Sequence, residues 1–168
     1  MDLISVSRFF NDDRAFVRLD PYAYQEILIS VYYRLLHRHP LASNGSENSN
    51  ENACYLGLLA LMTTLLFQHG RSRRLPYDLL AEKLHNAIES ALNNKLVEET
   101  TFLWLLFAGG ISIFGATDWV WLIPQIKTIL FTLNIDSWQT ARDKIKTLPW
   151  IDEAHDKPGK ELWQAVWE

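Results

Sequence analysis

Residues 103–122, LWLLFAGGISIFGATDWVWL, form the most apolar stretch of this 168-residue chain. No charged side chain occurs at the 18 positions from Thr100 to Thr117. That length is at the lower limit for crossing a bilayer, but three glycines, three threonines and a serine lie inside it, and Asp118 follows directly. A helix that is apolar on every side in a globular domain is covered by its neighbours. We therefore predict a central core helix and no membrane association.

Gly109 and Gly110 are adjacent inside this stretch. Without Cβ atoms, they allow close approach of either a neighbouring helix or a ligand. The sequence leaves both alternatives open.

Apolar residues recur at three- and four-residue steps along nearly the whole chain, and Gly (7) and Pro (6) are sparse. This pattern predicts a single all-α domain over residues 1–168, with about seven helices around the central one. Residues 41–52, rich in Ser and Asn, are predicted to be an exposed, flexible loop. The other helices are predicted near residues 22–38, 53–68, from Pro76 onward, around Pro124, 137–147 and 157–167.

Two helix starts are predicted from capping patterns. Asp136, with Gln139 three residues later, resembles the cap of the sixth helix. Asp156 is placed as the N-cap of the last helix, with Pro158 in its first turn. Pro124 is likewise placed in the first turn of the fifth helix.

Charge and cysteine content exclude several classes of function. The formal net charge is −4, and the one basic cluster, at Arg71, Arg73 and Arg74, is interpreted as a solvated loop, so no direct nucleic-acid binding is predicted. A single cysteine, Cys54, forms neither an intrachain disulfide nor a cysteine-rich metal site. The first residues do not read as a secretory signal, so an intracellular location is predicted. We predict no metal and no cofactor.

The order of the sequence blocks is more specific than any one of them. It resembles the C-terminal portion of the fungal-specific transcription factor domain, the regulatory region of fungal zinc-cluster transcription factors. The resemblance covers about residues 20–166. The blocks that carry it are YRLLHRHPL (33–41), LGLLALMTTLL (56–66), LPYDLLAEKL (75–84), LWLLFAGGISIFG (103–115), DWVWLIPQI (118–126) and SWQTARDKIKTLPWIDEAHDKPGKELW (137–163).

The resemblance implies a regulatory domain, nuclear if it is part of a transcription factor and otherwise cytoplasmic. The family binds DNA through a six-cysteine cluster with two zinc ions, and a chain with one cysteine cannot do so by that route. Whether the chain is a fragment of a regulator or a free-standing relative stays open. In the family, the segment containing His155 and Asp156 forms a structural turn, which is the expectation carried over here.

The tryptophans are the main candidates for ligand binding, since indole rings line many small-molecule pockets. Six of the seven lie between 104 and 163. Trp119 and Trp121 are two residues apart and diverge on a helix, so one of them is expected to face a cavity or partner. The candidate ligand-binding residues are Trp104, Gly109, Gly110, Trp119, Trp121 and Trp150.

Our leading hypothesis is a regulatory, effector-sensing domain that binds a small hydrophobic metabolite or a protein partner. The alternative is a cofactor-independent cyclase or isomerase of secondary metabolism that uses an aromatic pocket, with His155, Asp152 and Asp156 as acid–base candidates. A third hypothesis is a scaffold or homodimerisation module, recognisable by a filled interior and an exposed apolar patch.

Overall fold

The computed structural model describes residues 21–38, 49–66, 77–94 and 97–168. Seven helices and no strand occur in these residues, which confirms the predicted all-α class. The helices are α1 (Pro21–Arg38), α2 (Ser49–Leu66), α3 (Asp78–Asn94), α4 (Glu99–Ser112), α5 (Trp119–Thr132), α6 (Trp138–Ile145) and α7 (Asp152–Trp167).

Helix α4, formed by the stretch that was predicted to be central, lies in the middle of the core. Its residues from Phe102 to Ile111 are all buried, and it packs against α2, α3, α5, α6 and α7. The α2–α4 contact is close because Gly57 lies against Trp104, where a Cβ would come within 2.7 Å of the indole Cζ3. An apolar surface on all sides of α4 is therefore matched by neighbours on all sides.

Helix α2 begins earlier than predicted. It starts at Ser49, so residues 49–52 of the predicted loop are helical, with Glu51 in the first turn, where a carboxylate interacts favourably with the helix dipole. Residues 41–48, the predicted end of this helix at 67–68, Pro76 and the arginine cluster at 71–74 lie outside the described residues.

The proline in α5 does not mark the first turn, contrary to the prediction. The helix begins at Trp119, so Pro124 lies in its second turn. Leu122, Ile126 and Leu130 are fully buried on the inner face of the helix, and this packing outweighs the one backbone hydrogen bond that proline removes.

Both predicted caps near the carboxyl end are wrong. Ser137, not Asp136, caps α6, because its side chain accepts a hydrogen bond from the Thr140 backbone N–H. Helix α7 begins at Asp152, so Asp156 lies inside the helix, and Pro158 follows in its second turn. The segment expected to form a turn is therefore helical.

Within the described residues, no helix combines the length and the hydrophobicity needed to cross a membrane.

Candidate functional site

Two of the candidate tryptophans are core residues. Trp104 and Trp150 are each 1% exposed. The Trp104 indole N–H donates to the Pro149 carbonyl at 2.9 Å, and that of Trp150 donates to Asp156 Oδ1 at 2.9 Å. These bonds satisfy the polar atom of each buried ring and join α4 and α7 to the loop between α6 and α7.

Gly109 and Gly110 face the chain's own side chains. A Cβ on Gly110 would lie 2.6 Å from Leu162 Cδ2 and 2.8 Å from Leu122 Cδ2. A Cβ on Gly109 would meet the ring of Phe114, which is 1% exposed. Of the two alternatives, close helix packing is the one seen here: α5 and α7 approach α4 at this point.

Trp119 and Trp121 are both half-buried and pack against the core. Trp121 lies against His85 of α3, with ring centroids 4.1 Å apart and a 32° angle between planes. His85 also lies 3.3 Å from Glu89. The Nε1 atom of Trp119 is buried and has no hydrogen-bond partner in the described part of the chain.

His155 links α7 to α2. The Ile151 backbone N–H donates to His155 Nδ1 at 3.0 Å, so this nitrogen carries no proton. The neutral ring therefore has its proton on Nε2, which lies 2.9 Å from Thr64 Oγ1. The Thr64 hydroxyl donates in turn to the Leu61 carbonyl at 2.7 Å. Both ring nitrogens are thus engaged, and the tautomer follows from the geometry.

The environment of His155 disfavours its charged form. The residue is 2% exposed, and burial lowers the pKa of His155 from 6.5 to about 4, although nearby Asp156 acts in the opposite direction. The ring borders a narrow apolar cleft of about 30 Å³ between α1, α2 and the start of α7. This volume is well below the roughly 300–1,000 Å³ of typical ligand pockets.

Asp152 and Asp156 belong to a charge network between α6 and α7. Arg142 contacts both carboxylates at 2.8 Å, and Lys146 lies 2.6 Å from Asp152. The hydrogen bond to Asp156 raises the pKa of Arg142, partly opposed by burial. These contacts give both aspartates a place in joining the last two helices, whereas His155 joins α7 to α2.

A wider opening lies on the surface where α5 and α7 end. We call it the α5–α7 groove, and it measures about 550 Å³. Phe131 is 85% exposed and Trp167 is 56% exposed, whereas Trp163 is buried beneath them. The seven residues that line it are Leu130, Phe131, Asn134, Ile135, Asp136, Trp163 and Trp167.

None of these groove residues was among the sequence candidates. One feature of the sequence indicated an exposed aromatic residue here: Phe131 lies outside the apolar stripe of α5 that contains Leu122, Ile126 and Leu130. The i, i+4 spacing of Trp163 and Trp167 on one helix was a second signal. The sequence could not predict that the ends of α5 and α7 lie next to each other, because this depends on how the two helices cross.

Comparisons with protein-family models, with curated proteins and with solved structures give no match to this chain. The resemblance to a fungal regulatory domain therefore stays a prediction. Among the described residues, no group of His, Cys, Asp and Glu side chains is arranged to hold a metal ion.

Proposed function

We propose that this chain is a regulatory domain of the fungal transcription factor type that acts by binding a protein partner at the α5–α7 groove. The ordered sequence blocks support the regulatory part of the proposal. The groove supports the choice of a protein partner over a buried metabolite. A nuclear location follows from the proposal.

The observation that carries the proposal is the contrast between interior and surface. The tryptophans and glycines expected to line a pocket pack against other side chains of the core, and the cleft beside His155 measures about 30 Å³. A cyclised or isomerised substrate would need a far larger enclosed space, typically some hundreds of Å³. The groove, at about 550 Å³, is open to solvent instead.

The exposed aromatic rings favour a protein partner. Aromatic side chains are enriched among the residues that dominate binding energy in protein interfaces. Phe131 is mostly exposed and Trp167 is about half exposed, and both line the same groove. A short segment of a partner with two or three apolar anchors would cover them.

A reporter assay tests the proposal. The full chain is fused to a heterologous DNA-binding domain in a fungal reporter strain, and transcription is compared with that of the DNA-binding domain alone. We expect the fusion to change transcription and the Phe131→Ser, Trp167→Ser double variant to abolish the change. Val120→Ser is the matched control, because Val120 is 82% exposed on the same helix but does not line the groove.

Circular dichroism of the purified variants confirms that they remain folded. A fusion that leaves transcription unchanged, or a folded double variant that keeps the full effect, would contradict the proposal.

A further inference from the structure

We infer that the α5–α7 groove takes a partner segment bearing a lysine or arginine, whose cation lies against the exposed aromatic rings and pairs with Asp136. This inference rests on the proposed function and specifies the chemistry of the partner.

The aromatic rings of the groove are inclined to one another, so that both ring faces and ring edges border it. Trp163 and Trp167 have centroids 5.7 Å apart and planes inclined at 60°. Trp163 is 9% exposed and forms the floor, while Trp167 and Phe131 stand open to solvent at its sides. A cation within about 6 Å of such a ring face is attracted by the negative potential of the π system, and arginine makes this contact more often than lysine.

Asp136 gives the groove its charge. It is the one ionisable side chain among the lining residues, it is exposed, and it enters no ion pair within the described residues. Asn134 adds an uncharged amide beside it. The chain also carries a formal net charge of −4. A cationic side chain on the partner complements both the carboxylate and the rings.

A second copy of the chain fits the groove less well. A stable dimer buries about 800 Å² on each partner, whereas a large aromatic side chain contributes about 150–250 Å². Phe131 and Trp167 together supply only part of such an interface. A twofold interface centred here would also place two copies of the same carboxylate-bearing surface against each other. A short basic and apolar segment avoids both problems.

Selection from a display library of random short peptides tests the inference on the full chain. The library is selected on the wild-type protein after depletion on the Phe131→Ser, Trp167→Ser variant, so that only groove-dependent peptides remain. We expect these peptides to share an arginine or lysine next to apolar residues. Their affinity for the Asp136→Asn protein should fall roughly two- to fivefold, the size expected for an exposed ion pair.

Asp143→Asn serves as the charge control, because Asp143 is an exposed carboxylate on α6 that does not line the groove. Replacing the peptide's arginine by neutral citrulline should weaken binding by a similar factor. Groove-dependent peptides that are neutral or acidic would overturn the cationic partner and leave the proposed function intact. The absence of any groove-dependent peptide would overturn both.

Discussion

His155 is the residue whose chemistry is most altered by the fold. In the sequence it resembles an acid–base candidate, because it is followed directly by Asp156. In the structure Asp156 contacts Arg142 and Trp150, and His155 contacts Ile151 and Thr64 instead. The pairing with Thr64 spans 91 positions and could not be read from local sequence.

The buried neutral ring predicts a loss of stability in mild acid. The pKa of His155 is about 4 in the folded protein and 6.5 when unfolded, so its contribution is complete above pH 6.5. As the pH falls toward 4, the unfolded chain binds a proton that the folded one does not, and up to about 3 kcal/mol is lost. Urea unfolding between pH 7.5 and 4 measures this dependence.

The control for this prediction is the His85→Gln protein, which keeps His155 and should lose stability over the same pH range. The His155→Asn protein should be less stable at neutral pH and should show a shallower pH dependence. An identical pH dependence in the His155→Asn and wild-type proteins would contradict the role of this histidine.

Gly109 and Gly110 provide a second prediction at the residue scale. Alanine at Gly109 would press on the buried Phe114 ring, so we expect Gly109→Ala to lower the free energy of unfolding by about 1–3 kcal/mol. At Gly110 the nearest atoms are leucine methyl groups, which can shift, so the loss should be smaller. Thermal unfolding measures both.

Gly115→Ala is the matched control, because the nearest atom to a Cβ there is Asp118 Oδ2 at 3.8 Å. It should leave stability within about 0.5 kcal/mol of wild type. A Gly109→Ala protein as stable as this control would show that the close approach to Phe114 is unimportant.

At the scale of elements, the end of α5 is defined by one residue in a left-handed conformation. Asn134 has φ 53°, its N–H donates to the Phe131 carbonyl, and the Ile135 N–H donates to the Leu130 carbonyl. This pair of bonds is the Schellman motif, and Leu130 and Ile135 are both buried beside it. The motif turns the chain so that Asp136 borders the same groove as Phe131.

This motif predicts opposite effects of two small substitutions. Asn134→Gly should equal or exceed the wild-type stability, since glycine adopts positive φ freely. Asn134→Ala should lower the free energy of unfolding by about 1 kcal/mol, because alanine lacks the side-chain amide that makes positive φ tolerable for asparagine. Chemical denaturation measures both, with the exposed Lys127→Ala as the control within α5. Equal stability of the glycine and alanine variants would contradict the role of the backbone conformation.

Helix α7 shows why the ends of helices were harder to predict from the sequence than the presence of helices. Pro158 resembles a residue of the first helical turn, so the sequence placed the cap at Asp156. The helix instead extends back to Asp152, because His155 and Gly159 are both buried on its inner face and Trp138 and Trp150 pack over the glycine. Tertiary contacts of that kind outweigh the local signal of the proline.

At the scale of the whole molecule, the helices differ in how many other helices they pack against. Helix α4 is surrounded by five others, whereas α1 packs mainly on α2 through the small cluster of Leu28, Met62 and Leu65. The amide protons of α1 should therefore exchange with solvent faster than those of α4, since few buried contacts oppose local opening. Hydrogen exchange followed by mass spectrometry measures this order.

The same experiment contains its own control. Helix α2 contacts both α1 and α4, so its amides should be protected even where α1 has exchanged. Equal protection of α1 and α4 would indicate that the helices open only together, in global unfolding.

The sequence by itself determined the helical class and the central position of residues 103–112. Both follow from properties that are local along the chain: the helical spacing of apolar residues and an uncharged run that has to be covered on all sides. The tertiary structure alone decided what fills the space around Gly109 and Gly110, which partner His155 has, and where Phe131 meets Trp163 and Trp167. Apart from the approach of Gly109 to Phe114, these contacts join separate helices, and their geometry depends on how the helices cross, which no short stretch of sequence encodes.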